Sequence, residues 1–181
     1  MDAPLSPAAV DRDAEFRALF RAQCGYVIDS LRRLGVAPAD VDDMAQEVFL
    51  VAFRHHAQYD RARPIRPWLF AFAAGIASNY RRLARHRREA APADDVAADS
   101  APSADEGIDA ARDRELVIEA LGLLGPDRSA VLILADIDGV PVPEIAAALK
   151  VPLNTAYSRL RLAREEFTAA ARRLLARRGR R

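Results

Sequence analysis

The sequence predicts an all-α protein built as two small helical bundles joined by a flexible acidic linker, the second bundle containing a helix-turn-helix. Three observations predict it. Apolar residues recur at helical spacing in every long segment, and no strand-like alternation is sustained. The stretch Glu89–Asp109 is Ala, Pro, Asp and Ser with almost no large apolar residue, too little to offset ordering entropy. Finally, two short helical patterns meet across Lys150-Val151-Pro152, a break too short for anything but a turn. The implied boundaries are a disordered N-terminus over 1–12, a first bundle over 13–89, a linker over 90–110, a second bundle over 111–175 and a basic tail over 176–181.

The first helix is expected from Asp13, with Phe16, Leu19, Phe20, Cys24, Val27, Ile28, Leu31 and Leu34 as its stripe and Gly35 as its C-terminal cap. A second begins at Asp40, where Asp43 three residues on suggests a capping box. It carries two stripes. Val41, Ala45, Val48 and Ala52 form one; Asp42, Gln46, Phe49 and Phe53 form the other. A helix that buries one face needs only one, so the second either docks a partner or marks a helix packed in the middle of a bundle. The carboxylates Asp43 and Glu47 stand at least two turns from His55 and His56, and no Glu-x-x-His pair supports a metal site.

Gln58–Pro67 is a loop by its prolines, with Tyr59, Asp60 and the arginines Arg61, Arg63 and Arg66. That composition suits single-stranded nucleic acid, the ring stacking a base and the guanidinium groups holding phosphates; it equally suits an ordinary solvated loop. Pro67 and Trp68 open a third helix with Leu69, Phe72, Ala73, Ile76, Tyr80 and Leu83 inward. It ends in five arginines within Arg81–Arg88, more than a helix dipole requires, for which a phosphate backbone is the natural counterpart.

After the linker, Val117, Ile118, Leu121 and Leu124 line a helix that Gly125-Pro126 breaks. Val131, Leu132, Leu134 and Ala135 make the next one mostly buried, ending at Gly139. In the helix-turn-helix, Val142, Ile145, Ala146 and Leu149 seam the first helix; Ala156, Leu160, Ala163 and Phe167 seam the second, for which Asn154 is the expected N-cap. Thr155, Ser158, Arg159 and Arg161 lie beside that seam, suited to a major groove. A plain αα-hairpin with a polar face is the simpler alternative.

The formal net charge of +1 conceals segregation: acids crowd at Asp40–Glu47 and Asp94–Asp113, arginines at Arg81–Arg88 and Arg159–Arg181. Lys150 is the only lysine, so positive charge is nearly all guanidinium. The single cysteine, Cys24, excludes an internal disulfide and is expected in the core. No secretory leader is visible, and the longest greasy run, Trp68–Ala77, is far short of the ~20 residues a span requires. A cytoplasmic protein without membrane insertion is expected.

Asp40-Val41-Asp42-Asp43-Met44-Ala45-Gln46-Glu47-Val48-Phe49-Leu50, then Arg66-Pro67-Trp68-Leu69-Phe70 and an arginine-rich helix end, closely resemble region two of bacterial RNA polymerase sigma factors. Glu144-Ile145-Ala146, Leu149 and Asn154-Thr155-Ala156-Tyr157-Ser158-Arg159-Leu160 resemble region four. Two such domains with only a short linker look like the extracytoplasmic-function (ECF) class, and the resemblance spans roughly Phe16 to Leu175.

The resemblance implies that Asp42, Asp43, Gln46, Glu47 and Phe49 bind the clamp coiled coil of the largest polymerase subunit. It implies that Tyr59, Arg61, Arg63, Arg66 and Trp68 take the minus-ten promoter element, where family members capture an extruded base, with Asn79, Arg82 and Arg85 on strands nearby. Asn154, Thr155, Ser158, Arg159 and Arg161 would meet the minus-thirty-five element. The polymerase flap region and an anti-sigma factor are further implied partners; no cofactor and no catalysis are implied. The sequence departs from the family's frequent residues at several places: Lys150 and Asn154 stand where glycine is common, and Tyr157 and Leu162 where basic residues are. Gly75 stands for an asparagine, and Gly125-Pro126 for a Leu-Pro.

Two other functions compete. A stand-alone helix-turn-helix regulator would bind duplex DNA without polymerase, leaving the acidic–aromatic second helix without a role. An enzyme using Asp42, Asp43, Glu47 and the histidine pair lacks a nucleophile, a phosphate loop or a ligand set.

Overall fold

Helix α1 spans Pro7–Arg33, α2 Val41–His55 and α3 Ile65–Ala90. Then α4 covers Ile108–Gly122, α5 Pro126–Leu132, α6 Val142–Ala148 and α7 Leu153–Arg178. The computed structural model describes residues 7–90 and 108–179, with side chains from 14 to 87 and from 110 to 179, and among them no strand occurs. Most of the expected linker, 91–107, lies outside the described residues, as do 1–6 and 180–181. No helix among the described residues is long and apolar enough to cross a membrane.

The stripes sort as their spacing requires. Val41, Ala45, Val48 and Ala52 bury the inner face of α2 against Val27 and Leu31 of α1 and Leu69, Phe70, Ala73 and Ala77 of α3. In the second half, Val131, Leu132, Ile133 and Leu134 are buried with Leu121 and Leu124 of α4, Ile145 of α6, and Leu160 and Ala163 of α7. These two sets form one continuous apolar cluster, so the halves pack against each other rather than standing apart. A smaller cluster of Ala120, Ala170 and Leu174 joins α4 to the far end of α7.

Several local expectations change. Helix α1 starts at Pro7, so residues 7–12, expected to be disordered, are helical. The tail, expected to fray, carries α7 through Arg178, whose guanidinium donates to the Arg112 carbonyl and to Glu119. Asp40 is the N-cap of α2 but caps nothing with its side chain. Its carboxylate instead accepts a 2.7 Å bond from the Tyr80 hydroxyl, which fixes α3 to the start of α2. Asn154 is not the N-cap of α7: Pro152 holds that place, and Asn154 falls inside the first turn. The helix begun at Pro126 continues past Leu132 as a π-turn, Ile133–Ile137, before Gly139 reverses the chain at φ +69°. The wider turn presents Asp138 to the first half.

Two helix ends use the same device. After α1, Val36 N–H bonds Leu31 O at 3.0 Å and Gly35 N–H bonds Arg32 O at 3.0 Å. After α6, Val151 N–H bonds Ala146 O at 3.0 Å and Lys150 N–H bonds Ala147 O at 3.4 Å. Both are Schellman caps, whose pivot residue must take a left-handed conformation. Gly35 does so at φ +87° and Lys150 at φ +55°. The tight turn is therefore formed although lysine stands where the family this chain resembles commonly has glycine.

Candidate nucleic-acid and partner interfaces

On α2, Asp42, Asp43, Gln46 and Glu47 are exposed along the first two turns. Phe49 is not: only 4% of it is accessible. Phe20 of α1 covers it edge-on at 4.6 Å, and Phe16 closes from the other side at 6.3 Å. The apolar surface beside these acids is instead a groove of about 480 Å³ lined by Phe16, Phe20, Phe49, Leu50 and Phe53, with Gln46 and Arg17 as its polar residues. Phe20 is 39% and Leu50 59% exposed, high values for large apolar side chains. Neither was singled out from the sequence for a binding role. The available signal was Leu50's place one turn after Gln46 and Glu47 and outside the inward stripe of α2.

The loop before α3 is gathered around an aromatic stack. The Tyr59 ring lies 4.9 Å from Trp68, tilted, and Trp68 meets Phe72 edge-on at 4.9 Å. The Tyr59 hydroxyl donates to the Arg63 carbonyl, closing the loop, and partial burial followed by Asp60's charge holds its phenol above the ordinary range. The arginines are placed but not idle. Arg61 pairs with Glu15 of α1 at 2.7 Å, and Arg63 with Asp60 at 3.4 Å. Arg66 donates to Gln23 at 3.2 Å and lies over the Tyr26 ring at 5.1 Å. Tyr59 and Trp68 thus form one aromatic surface, whereas Arg66, two residues before Trp68 on α3, is turned to Gln23 and Tyr26 of α1. Asn79, Arg82 and Arg85 are exposed farther along α3, roughly 17–26 Å down the axis at 1.5 Å per residue.

In the helix-turn-helix, Asn154 and Ser158 are exposed on the first two turns of α7, and Thr155 is half-buried. The Ser158 hydroxyl donates back to the Thr155 carbonyl at 3.0 Å. Arg159 is turned toward α5, where it bonds Asp127 at 2.6 Å. Arg161 pairs with Glu165 at 2.7 Å one turn on. Arg164, not selected from the sequence, makes a two-pronged contact with Asp136 at 2.9 and 2.7 Å, which raises its guanidinium pKa further. Arg128 pairs with Glu166. Leu153 and Tyr157 stay exposed beside Asn154, giving the front of this helix an apolar as well as a polar component.

The histidines serve the aromatic packing: buried His56 sits edge-on to Phe16 at 5.8 Å, and His55 stacks on Phe72 at 5.8 Å. No group of three or more potential metal ligands gathers among the described residues.

The sequence matches the family model "Sigma-70 region 2" over residues 19–89 and "Sigma-70, region 4" over residues 114–167. It is 33% identical over 162 residues to the ECF RNA polymerase sigma factor SigL of Mycobacterium tuberculosis, spanning 89% of this chain and 91% of that one. Among solved structures, CnrH in complex with the cytosolic domain of CnrY aligns at 26% identity with a TM-score of 0.61, over 87% of each chain. The sigma factor RpoE in complex with the anti-sigma factor NepR from Bartonella quintana shares the fold at 18% identity and a TM-score of 0.68, over 87% of this chain and 97% of that one. With both domains present, in order, and a full-length relative at this identity, the chain belongs to the extracytoplasmic-function class of RNA polymerase sigma factors.

Proposed function

We propose that this sigma factor acts through three separate surfaces. The groove on α1 and α2, with Gln46, Leu50 and Phe20 accessible and Asp42, Asp43 and Glu47 beside it, receives the clamp coiled coil of the polymerase. An apolar trough with exposed acids farther along α2 matches an amphipathic partner helix that carries basic residues outside its apolar face. The Tyr59–Trp68 stack, Arg66 and the arginines along α3 take the opened minus-ten strand, stacking bases and holding phosphates. The front of α7, with Asn154, Ser158 and Arg161, enters the major groove at the minus-thirty-five element while the second bundle contacts the flap region. The factor contributes no catalysis of its own and works in the cytoplasm. An anti-sigma factor restrains it, as the complexes of CnrH with CnrY and of RpoE with NepR suggest by analogy.

The observation that carries this reading is that a stacked aromatic pair with arginines nearby and a helix-turn-helix occur on one chain, alongside an apolar groove on the helix whose exposed face is acidic, a surface DNA would not choose. Run-off transcription with purified core polymerase on a genomic promoter pool tests it. Specific transcripts dependent on the protein are expected. Specific duplex footprints without polymerase, and no transcripts with it, would favour the stand-alone regulator instead.

A further inference from the structure

Leu153 is the first residue of α7, and Tyr157 follows it one turn on. Four residues at 3.6 per turn leave the two about 40° apart, so they stand one above the other on the same side of the helix. That side is not the inward one. Ala156, Leu160 and Ala163 are buried, whereas Leu153 is 44% and Tyr157 52% exposed. Neither belongs to an apolar cluster among the described residues. Both border Asn154 and Ser158, which are exposed on the same two turns. Their surface is therefore continuous with the one through which α7 is read as meeting duplex DNA.

The guanidinium groups farther along α7 are engaged. Arg159 is held by Asp127 at 2.6 Å, Arg161 by Glu165 at 2.7 Å and Arg164 by Asp136 at 2.7 Å. Each must release a carboxylate before it takes a phosphate or a guanine edge. Leu153 and Tyr157 need shed only water, which is favourable once an apolar partner arrives. A major groove offers one apolar group, the C5 methyl of thymine; its other base edges are hydrogen-bond donors and acceptors. Asn154 beside them adds an amide, whose two-pronged partner there is the N6/N7 edge of adenine. Leu153 to Ser158 include no arginine or lysine, the residues that guanine would call for. The start of α7 thus matches A·T pairs.

We propose that Leu153 and Tyr157 are specificity-determining residues that read thymine C5 methyl groups in the upstream promoter element. The proposal rests on the reading of α7 as the helix that enters the major groove there. Thymine then counts through its methyl group and not through its O4 acceptor.

Deoxyuridine tests this, because it lacks the methyl of thymine and keeps its pairing and its O4. Promoters recovered by run-off transcription with core polymerase supply the duplexes. Competition footprinting of the polymerase complex formed by the full chain supplies the affinities. Replacing thymines of the upstream element one at a time by deoxyuridine is expected to weaken binding about fourfold at one position or two, the factor for one buried methyl group. Leu153→Ala and Tyr157→Ala should each abolish the preference for thymine over deoxyuridine at the position that residue touches. Tyr157→Phe, which retains the ring, should keep it. An element that tolerates deoxyuridine throughout overturns the proposal while leaving α7 as the recognition helix. So does a preference that survives in both alanine variants; if those variants also weaken every duplex alike, the pair docks a polymerase surface instead. If the recovered promoters share no upstream sequence, the reading of α7 as a base-reading helix fails and the proposal fails with it.

Discussion

Lys150 takes φ +55° at the pivot of the helix-turn-helix, where Gly35 takes φ +87° at the equivalent cap of α1. Outside glycine and asparagine that conformation brings Cβ against the following carbonyl, a cost of about 1–2 kcal/mol. Part of any relief is returned because glycine gains freedom in the unfolded chain. Lys150→Gly is therefore expected to stabilise the protein by about 0.5–1 kcal/mol. Denaturant titration checks it: a midpoint that falls would mean that the lysine side chain contributes more than its backbone costs. Arg159 poses a different question. It is held by Asp127 at 2.6 Å, so it must exchange a carboxylate for DNA to take part in recognition. If it does, Arg159→Ala weakens promoter binding by the polymerase complex by about 1–3 kcal/mol, the worth of one good base contact. Equal footprints for both proteins would leave Arg159 as a strut between α7 and α5.

For the element α2, the second stripe combines two jobs that spacing alone cannot separate. Asp42 and Gln46 are exposed, whereas Phe49, one turn on from Gln46, is sealed by Phe16 and Phe20 from α1. Replacing Phe49 by alanine would cost about 3–5 kcal/mol of packing and would confuse unfolding with loss of binding. Leu50→Glu is the cleaner probe, since Leu50 is 59% exposed and a charge there disturbs the groove and not the core. It is expected to abolish co-purification with core polymerase while leaving the circular dichroism spectrum intact. Undiminished co-purification would remove the groove from the interface.

The inward stripe Val41, Ala45, Val48 and Ala52 was legible because one helix's own period determines it. The covering of Phe49, the pairing of Arg159 with Asp127 and the bond from Tyr80 to Asp40 were not. Each joins residues distant in the chain, and no local period encodes which partner arrives. The cap at Lys150 was hidden for another reason: the residue type argues against the conformation that the hydrogen-bond pattern imposes.

At the scale of the whole molecule, a pH dependence follows from the contact between halves. Burial, and then the bond and charge of Asp138, push the Tyr26 phenol well above its ordinary value of 10.0. A group whose pKa is raised by docking stabilises the docked form below its undocked value and loses that contribution as pH climbs above it. Separation of the halves by energy transfer should thus grow with pH above about 10, the ordinary tyrosine range. Tyr26→Phe should flatten this response; an identical alkaline profile in that variant would place the titrating group elsewhere.

The shared apolar cluster raises a sharper question: whether the halves are two folding units or one. Each has a core of its own, Val27, Leu31, Val48 and Leu69 in the first and Val131, Ile133, Ile145 and Leu160 in the second. Cleaving the chain between 91 and 105 should therefore leave both halves helical. What cleavage removes is the tether, which for a short linker supplies an effective concentration in the millimolar range. The cut halves are expected to co-elute when concentrated and to separate on dilution, with Tyr26→Phe moving the separation to higher concentration. Circular dichroism and size exclusion over a dilution series decide it. Loss of helix signal from either half would show one indivisible core. Co-elution persisting at the lowest concentration would mean that the domains do not part without help from polymerase or DNA.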